Sequence, residues 1–550
     1  MTWVLRWDTA AEPEPRLEGA AFADNIFLDG YLFDGGTPDL DPDRLRGAFA
    51  LLRWDPARRT LTVARDAMGL QPCYYRWDGR TLAVSSTIDA IADRGRFNAR
   101  VVADYVSVQM TDAMVRETFY EDVRRVPPAH VLTVGERTIA ERRYWNPLPS
   151  DFAWATKEEL RQFAPIFDRA VARTLEAGAD SIALSGGFDS ISIAVTAARQ
   201  GRALHAVSLR FAHTTCDEGD SQAEVARALG MPQTLRTMHD ALDGANCIDA
   251  SLALSGSSPC PVLGMWQSLY TALIRAARSP RRMLFGTGGD DVFGVDLAYG
   301  LDRARRLDAP GLWRFYRSCQ RASPFPAARV ARLVLWVRAI RPALGLLVHA
   351  AVGQRRSREL RRRALRRGLP GWISREAAEA MLERRLDAGP ELPAPSDPAY
   401  ARSLRRLTQS PILILENEQA WEWGRATGWT RLYPYFDRDL VSLALRMHPE
   451  HLIAGGKSKA PIRALVAARL PHVKLRSKKV DFTEMAHGDL RPAGPGAWRR
   501  LGGPRALAQL GIVDPGRINA AMDSYFEGRN NEAVRTWMVL STEAWLQAHS

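Results

Sequence analysis

Two glycine-rich turns, each at the end of a short apolar segment, constrain the fold more than any other feature of the sequence. The first turn, SGGFDS at residues 185–190, follows apolar residues 181–184 and precedes a helical pattern at 190–199. The second, FGTGGDD at 285–291, follows another apolar segment. Alternating strands and helices predict a doubly wound parallel sheet, with both turns at the carboxyl ends of strands, where such sheets bind ligands. Further elements alternate between the turns: a strand at 203–211 and a helix at 221–229.

Residues 1–148 differ from the rest of the chain. Short apolar runs alternate there with turn signals, which is typical of a β-rich unit. Pro147 and Pro149 mark a boundary after it. A chain of 550 residues is also too long for one ordinary domain. We therefore predict two domains, 1–148 and 149–550, the second with a helical, Arg-rich insertion at about 300–410.

The basic residues are unevenly distributed. The net charge is +13, and only six of the 75 basic residues are Lys, five of them between residues 457 and 479. Eight Arg fall within 355–367. We interpret this run as a solvated helix face, or as a docking surface for an acidic peptide or an anionic lipid. Nucleic acid is not an expected partner, because no aromatic interleaving or reader motif accompanies the run.

No segment is expected to span a membrane. The apolar residues 329–353 are interrupted by three Arg and by Pro342, which leaves far less than the roughly 20 apolar residues that a spanning helix needs. A packed helical hairpin is the predicted structure. The five Cys are scattered without metal-ligand spacing, and residues 1–16 contain no secretory signal, which together favour a cytoplasmic protein.

The first turn has the composition of a phosphate-binding loop. Gly186 and Gly187 let backbone N–H groups approach an anion, and the following helix N-terminus adds its positive dipole end. Ser185 and Ser190 can donate hydroxyl hydrogen bonds to phosphate, whereas the carboxylate of Asp189 is expected to hold Mg²⁺. The turn is not a GxxxxGK[ST] loop. It resembles the SGGxDS loop of ATP pyrophosphatases, which cleave ATP to AMP and pyrophosphate.

The second turn carries the paired carboxylates Asp290 and Asp291. One Mg²⁺ takes few protein carboxylates when substrate phosphates complete its coordination, so Asp189 and Asp290, from two adjacent loops, are the predicted metal ligands. The Lys-rich segment supplies cations that suit the negative charge developing during adenylation. A solvated basic surface is the alternative interpretation of that segment.

The three motifs, in this order, resemble those of the asparagine synthetase family, whose synthetase domain carries SGGxDS, a GxGxDE-like turn and a late R-x-K element. Here the last is RSK at 476–478. Residues 65–72 (RDAMGLQP) resemble the family's RDxxGxxPLY stretch, 125–130 (RVPPAH) its xVxPGH element and 433–437 (YPYFD) its R-x-PFLD element. The resemblance implies an Ntn-hydrolase-like αββα sandwich, which is a glutamine amidotransferase-like domain, followed by an ATP-pyrophosphatase domain.

Two departures from the family pattern bear on the reaction. In glutamine-dependent members, the Cys after the initiator Met hydrolyses glutamine, but this sequence has Thr2, and we expect the N-terminal domain to be inactive. Thr287 stands where asparagine synthetases carry Glu. Both departures resemble β-lactam synthetases and lasso-peptide macrolactam synthetases, in which another amine attacks the acyl-adenylate. The long insertion and the basic charge favour a peptide substrate.

By resemblance, the predicted reaction is ATP-dependent macrolactam (isopeptide bond) formation in a lasso precursor peptide. An Asp or Glu side chain is adenylated, the N-terminal amine of the peptide attacks it, and AMP and pyrophosphate are released. The implied cofactors are ATP and Mg²⁺, and a leader-binding protein and a leader peptidase are expected partners. The general base for the amine stays open.

The resemblance also assigns site residues. Lys478 is expected to stabilise the developing charge, with Lys459 and Arg463 as second choices. The catalytic residues are then Lys478, Asp290 and Asp189; ATP contacts Leu184, Ser185, Gly186, Gly187, Asp189, Ser190, Leu209 and Gly286; and Mg²⁺ binds Asp189 and Asp290. Three alternatives remain: a β-lactam synthetase-like small-molecule amide ligase, an ammonia-dependent asparagine synthetase, and a degenerate scaffold without catalysis.

Overall fold

The predicted α/β class, with antiparallel sheets before a parallel one, is confirmed. The computed structural model describes residues 2–33, 40–148, 152–212, 214, 216–276, 282–387, 398–473, 475 and 482–550.

The N-terminal part contains two five-stranded antiparallel sheets, of order β2-β1-β7-β6-β8 and β10-β9-β5-β4-β3. Leu5 and Val84 of the first sheet share a buried core with Leu52 and Val63 of the second, so the sheets form the predicted sandwich. The strands are β1 (Val4–Asp8), β2 (Arg16–Glu18), β3 (Ile26–Leu32), β4 (Gly47–Asp55), β5 (Thr60–Arg65), β6 (Tyr74–Trp77), β7 (Thr81–Ser85), β8 (Arg124–Arg125), β9 (His130–Gly135) and β10 (Thr138–Arg143).

The third sheet is parallel throughout and has the order β13-β12-β11-β14-β15. Winding reverses between β11 and β14, which makes their carboxyl ends the switch point where such sheets bind ligands. Successive side chains point to opposite faces: Ala206 and Leu284 enter one core, and Val207 and Met283 enter the other. Its strands are β11 (Ser181–Ala183), β12 (His205–Arg210), β13 (Gln233–Thr237), β14 (Arg282–Leu284) and β15 (Thr430–Leu432).

The helices include some that cover the two faces of this sheet and others that lie in the N-terminal part or in the insertion. They are α1 (Ala99–Val106), α2 (Lys157–Arg161), α3 (Phe163–Glu176), α4 (Phe188–Arg199), α5 (Gly219–Ala228), α6 (Met238–Ala241), α7 (Cys247–Ser257), α8 (Gln267–Ala276), α9 (Gly289–Phe293), α10 (Tyr299–Arg305), α11 (Ala309–Ala322), α12 (Ala327–Ala331), α13 (Arg341–Ala351), α14 (Gln354–Gly368), α15 (Arg375–Asp387), α16 (Ala399–Arg405), α17 (Pro411–Thr427), α18 (Arg438–Ala444), α19 (Pro449–Leu452), α20 (Ala460–Arg469), α21 (Thr483–Arg500), α22 (Arg505–Gln509), α23 (Pro515–Phe526) and α24 (Ala533–His549). One core joins α3, α4 and α20, and the other joins α7, α8 and α24.

The predicted helical hairpin at 329–353 is wrong. Here α12, a π-helical stretch (Arg332–Ile340) and α13 follow one another without a break. Pro342 does not end the helix. The N–H of Arg341, the residue before it, donates to the carbonyl of Trp336, five residues back. This wider π-helical turn accommodates a proline, which has no N–H to donate. Among the described residues, no helix combines the length and apolarity needed to cross a bilayer.

The Arg-rich run at 355–367 lies on α14 and is partly neutralised within the protein. Arg358, Arg362 and Arg366 form ion pairs with carboxylates of the antiparallel neighbour α15, and Arg363 pairs with Glu359. Carboxylates of α15 therefore neutralise some of the Arg at 355–367. Those Arg are neither free at a solvated face nor available to a docking partner, the two interpretations that the sequence allowed.

A buried ion-pair network joins the N-terminal sandwich to the parallel-sheet part. Glu418 of α17 is 2% exposed and accepts hydrogen bonds of 2.9 Å from Nε of Arg125 to both carboxylate oxygens. Nη1 of Arg65 lies 3.2 Å from Oε1 of the same Glu418. The remaining Arg65 donors bind the carbonyls of Gln71 and Gly69. One carboxylate thus compensates two guanidinium groups that have no access to water.

Removing the carboxylate of Glu418 should strongly destabilise the protein. We expect Glu418→Gln to lower the free energy of unfolding by about 3–5 kcal/mol, because two buried guanidinium groups lose their counter-charge. The measurement is the denaturant midpoint followed by tryptophan fluorescence. Glu359→Gln is the control, since its ion pair with Arg363 is exposed and should be worth at most about 1 kcal/mol. Equal shifts for the two variants would contradict the proposed importance of the network.

Candidate active site

A cavity of about 700 Å³ opens at the switch point between β11 and β14. Every ATP-site or metal-site residue predicted from the sequence that lies in the described part of the chain lines it: Leu184, Ser185, Gly186, Gly187, Asp189, Ser190, Leu209, Gly286 and Asp290. Lys478, the predicted catalytic cation, falls outside the described residues, as does the rest of the 476–478 element. The structure therefore brings together the residues predicted on the two glycine-rich turns.

The first turn is closed by its own hydroxyl groups. The backbone N–H of Ser185 donates to Oγ of Ser190 at 3.1 Å, and the N–H of Gly187 donates to Oγ of Ser185 at 3.2 Å. The N–H of Gly186 donates to a carboxylate oxygen of Glu218 at 3.2 Å. Glu218 also lines the cavity and was not predicted. A backbone donor of the predicted phosphate loop thus binds an anionic oxygen in this structure, as its composition implies.

Glycine allows the two turns to touch. A Cβ on Gly289 would lie 2.4 Å from Cγ of Asp189, and one on Gly286 would lie 2.9 Å from the backbone nitrogen of Ser190. Both distances are shorter than real Cβ contacts. Gly288 has a φ of +94°, which favours glycine for a second reason. The close approach brings the carboxylates of Asp189 and Asp290 to a common point.

That point is the ammonium group of Lys459. Its Nζ lies 2.7 Å from Oδ1 of Asp290 and also forms an ion pair with Asp189. Lys459 has a φ of +54° immediately before α20, an unusual conformation for a residue with a side chain and one that concentrates at functional sites. The sequence analysis ranked Lys459 behind Lys478. The structure makes Lys459 the cation in contact with both predicted metal ligands.

Arg463, the other second choice, also reaches the site. Its guanidinium lies 4.0 Å over the ring of Phe188, the first residue of α4, and its Nε donates to the carbonyl of Ser458 at 2.8 Å. Both residues line the cavity. Lys459 and Arg463 therefore add two cationic side chains from the start of α20 to the two turns.

The donor set suits a Mg²⁺ ion that arrives with a nucleotide. Within the described residues, no group of three or more His, Cys, Asp or Glu side chains could hold a metal by itself. Two carboxylates from adjacent turns do converge, and Mg²⁺ is usually bound by one or two carboxylates together with substrate phosphates. Asp189 and Asp290 fit this arrangement.

Acidic groups beside the second turn have shifted proton affinities. Burial and the neighbouring charge of Asp290 raise the pKa of Asp291, against the lowering effect of Lys459. Surrounding protein and the charge of Asp291 raise the pKa of Glu416 on α17 to about 7, although Arg431 acts in the opposite direction. Glu416 keeps solvent-accessible surface, so it can exchange a proton near neutral pH. Glu416 is not among the residues predicted from the sequence, where its only signal is an acidic residue directly after the apolar residues 412–415.

Comparison with known proteins agrees with this geometry. The asparagine synthase family model matches residues 162–547, and a glutamine amidotransferase domain model matches 36–145. An asparagine synthetase [glutamine-hydrolyzing] 3 from Bacillus subtilis is 30% identical over 31% of this chain and 29% of its own length. Amidase chry2 from Gibberella zeae is 29% identical over 48% of this chain and 42% of its own. A putative asparagine synthetase [glutamine-hydrolyzing] from Mycobacterium bovis is 26% identical over 50% of this chain and 44% of its own.

The matched stretches thus span less than half the length of these curated relatives. The family model, in contrast, extends from α3 to α24 and includes both glycine-rich turns, Lys459 and Glu416. The chain belongs to the asparagine synthase family.

Proposed function

We propose that this protein is an ATP-dependent, AMP-forming amide ligase. The observation that carries the proposal is the convergence of both glycine-rich turns, their two carboxylates and Lys459 on one cavity. A substrate carboxylate attacks the α-phosphate of ATP, forming an acyl-adenylate and pyrophosphate. An amine then attacks the acyl carbon, forming the amide and releasing AMP.

The residues of the site divide this work between them. Backbone N–H groups of the first turn, with the hydroxyls of Ser185 and Ser190, bind phosphate oxygens. Asp189 and Asp290 would hold Mg²⁺, which would neutralise phosphate charge when bound with the nucleotide. Leu184, Leu209 and Gly286 contact the adenine. Lys459 neutralises the two carboxylates before the nucleotide arrives, and Lys478 stabilises the charge that develops during transfer.

The proposed substrate is a linear precursor peptide that is closed into a macrolactam. The cavity extends from the predicted nucleotide site at the first turn to Phe325, Arg329 and Leu333 in the insertion, which extends its lining beyond the two turns. Thr287 lines this cavity at the position of the family's Glu. The carboxylate is an Asp or Glu side chain of the peptide, and the amine is its own N-terminus. A leader-binding protein and a leader peptidase prepare this substrate.

The N-terminal domain is proposed to serve assembly rather than glutamine hydrolysis. Thr2 stands at the position of the nucleophilic Cys. In the RDAMGLQP stretch, the Arg65 guanidinium binds backbone carbonyls and Glu418, and the carboxylate of Asp66 accepts the N–H groups of Met68, Leu70 and Gln71. These contacts shape the domain interface, which an inactive domain still needs.

The decisive experiment compares substrates with the purified full chain. We expect ATP–pyrophosphate exchange and AMP release with linear peptides that carry a free N-terminal amine and an internal Asp or Glu, and a product lighter than the peptide by one water. The mass shift should disappear when the N-terminus is acetylated, while exchange continues. AMP release with aspartate and ammonium, or with small amino acids alone, would replace the peptide proposal by one of its alternatives. Absence of exchange with every substrate would leave a non-catalytic scaffold.

The two lysines should be separable by substitution. Lys459→Ala removes a cation from the phosphate end of the cavity, so we expect weaker ATP binding and slower exchange. Lys478→Ala should slow turnover by about 10²–10³-fold while ATP binding largely survives, and Lys478→Arg should not restore it. Binding is measured by calorimetry with ATP and Mg²⁺, and turnover by AMP release. Lys457→Ala, an exposed neighbour, should behave like the unsubstituted protein. Near-normal turnover of Lys478→Ala would refute its role.

Glu416 is the proposed proton acceptor for the attacking amine. A base acts in its deprotonated form, so with a pKa of about 7 the amide-forming rate should rise with pH and level off above 7. Glu416→Gln should lose this pH-dependent limb and retain exchange, because adenylation precedes amine attack. Glu422→Gln is the matched control: Glu422 lies on the same helix with a pKa raised to about 7, but it pairs with Arg425. An unchanged limb in Glu416→Gln would exclude this role.

A further inference from the structure

One surface of the insertion combines exposed apolar side chains with an unbalanced positive charge. Between Asp308 and Glu359 the sequence contains ten Arg and no Asp or Glu. The same stretch includes α11 and the continuous helix formed by α12, the π-helical stretch and α13. We call seven exposed apolar residues of this stretch the insertion face: Trp313, Leu333, Trp336, Ile340, Leu344, Leu347 and Val348. Leu333 is the one among them that also lines the cavity of the candidate active site.

The apolar side chains of the insertion face are exposed to an unusual degree. Leu347 is 67% exposed, Trp313 55% and Trp336 50%. From Leu333 onward the exposed apolar residues recur every three or four positions along one helix, with a further one at 348. Scattered exposed apolar residues are normal, but a repeated series on one helix with tryptophan marks an interaction surface.

The cations of this helix are available to a partner. Arg332, Arg338 and Arg341 are exposed, and within the described ranges no carboxylate forms an ion pair with any of them. Arg355 and Arg356, at the start of α14, are likewise exposed, in contrast to Arg358 and Arg362 farther along, which pair with α15. The uncompensated charge is thus concentrated beside the apolar series.

We propose that the insertion face docks on an anionic lipid bilayer surface. A single long helix that presents leucine, isoleucine and tryptophan beside arginine fits an interfacial orientation, in which the apolar side chains enter the headgroup boundary and the guanidinium groups meet lipid phosphates. The helix and its π-helical stretch cover 25 residues, too short in apolar sequence to span a bilayer but long enough to lie along it.

Docking in this orientation has a consequence for the active site. Leu333 belongs both to the insertion face and to the lining of the cavity, together with Arg329 and Val330 of α12. The cavity therefore extends to the helix that carries the docked surface. Substrate and product would be exchanged at the bilayer surface, although the docking itself does not depend on the proposed reaction.

Vesicle co-sedimentation of the full chain tests the proposal. We expect binding to vesicles of equal parts phosphatidylglycerol and phosphatidylcholine and much weaker binding to phosphatidylcholine alone. Binding to the anionic vesicles should weaken as the salt concentration rises, because salt screens the attraction between the arginines and the lipid phosphates. Trp336→Asp and Leu347→Asp should each lower the partition coefficient of the protein onto vesicles by about tenfold or more. Each substitution replaces an apolar side chain that enters the bilayer by a charged one. Arg332→Gln with Arg338→Gln should selectively reduce the preference for phosphatidylglycerol.

Matched controls separate docking from folding and from other partners. Val534→Asp alters an equally exposed apolar residue, 57% accessible, on α24 and should leave vesicle binding unchanged. All variants should keep the ATP–pyrophosphate exchange of the starting protein without vesicles. Equal binding of Leu347→Asp and the starting protein would overturn the proposal. Binding of soluble polyglutamate in place of vesicles would assign the face to an acidic peptide, and a dimer in solution that Trp336→Asp dissociates would assign it to a second copy of the chain.

Discussion

The contact between the two glycine-rich turns is the constraint on which the site depends. Strand order places the ends of β11 and β14 side by side, but side chains on the turns would hold them apart. Gly286 and Gly289 remove that obstacle, and the carboxylates of Asp189 and Asp290 then come near enough to share one ammonium group. Two like charges at this distance need a cation, whether Lys459 or a metal ion bound with phosphates. The cation that compensates Asp189 and Asp290 therefore depends on whether a nucleotide and its metal ion are bound.

The N-terminal part contributes two buried guanidinium groups to the contact with α17. Arg65 and Arg125, from two separate motif stretches, converge on Glu418 of α17. Two positions before Glu418, the same helix carries Glu416, which is exposed and whose pKa is raised by surrounding protein and by the charge of Asp291. The two acidic residues thus have opposite environments on one helix: one is fully compensated and structural, and the other is exposed enough to exchange protons. Anchoring Glu418 between two guanidinium groups also fixes the position of Glu416.

The sequence was sufficient for the turns and insufficient for what packs against them. SGGFDS and FGTGGDD follow apolar strands, so their position at the sheet edge could be predicted from local pattern. Lys459 could not be separated from its basic neighbours, because its place beside Asp189 depends on the packing of α20 against α4. The Arg pairs between α14 and α15 depend in the same way on two helices meeting. The prediction of a hairpin was wrong because the π-helical hydrogen bond just before Pro342 lets the helix continue through this proline. No local pattern in the sequence indicates such a π-helix. Lys478 remains a prediction from family resemblance.

The net charge of +13 can now be divided by environment. Part of the Arg run on α14 is balanced by α15, and Lys459 is balanced by the two carboxylates of the site. The stretch between Asp308 and Glu359 contains ten Arg and no Asp or Glu of its own. Arg358 pairs with α15, but within the described ranges Arg332, Arg338 and Arg341 form no ion pair with a carboxylate, and exposed apolar side chains lie on the same helix. A protein that needed this charge only for solubility would not place tryptophan and leucine next to it, because exposed apolar surface opposes solubility. The combination is explained when one partner satisfies both properties at once, and the proposed anionic bilayer surface does so.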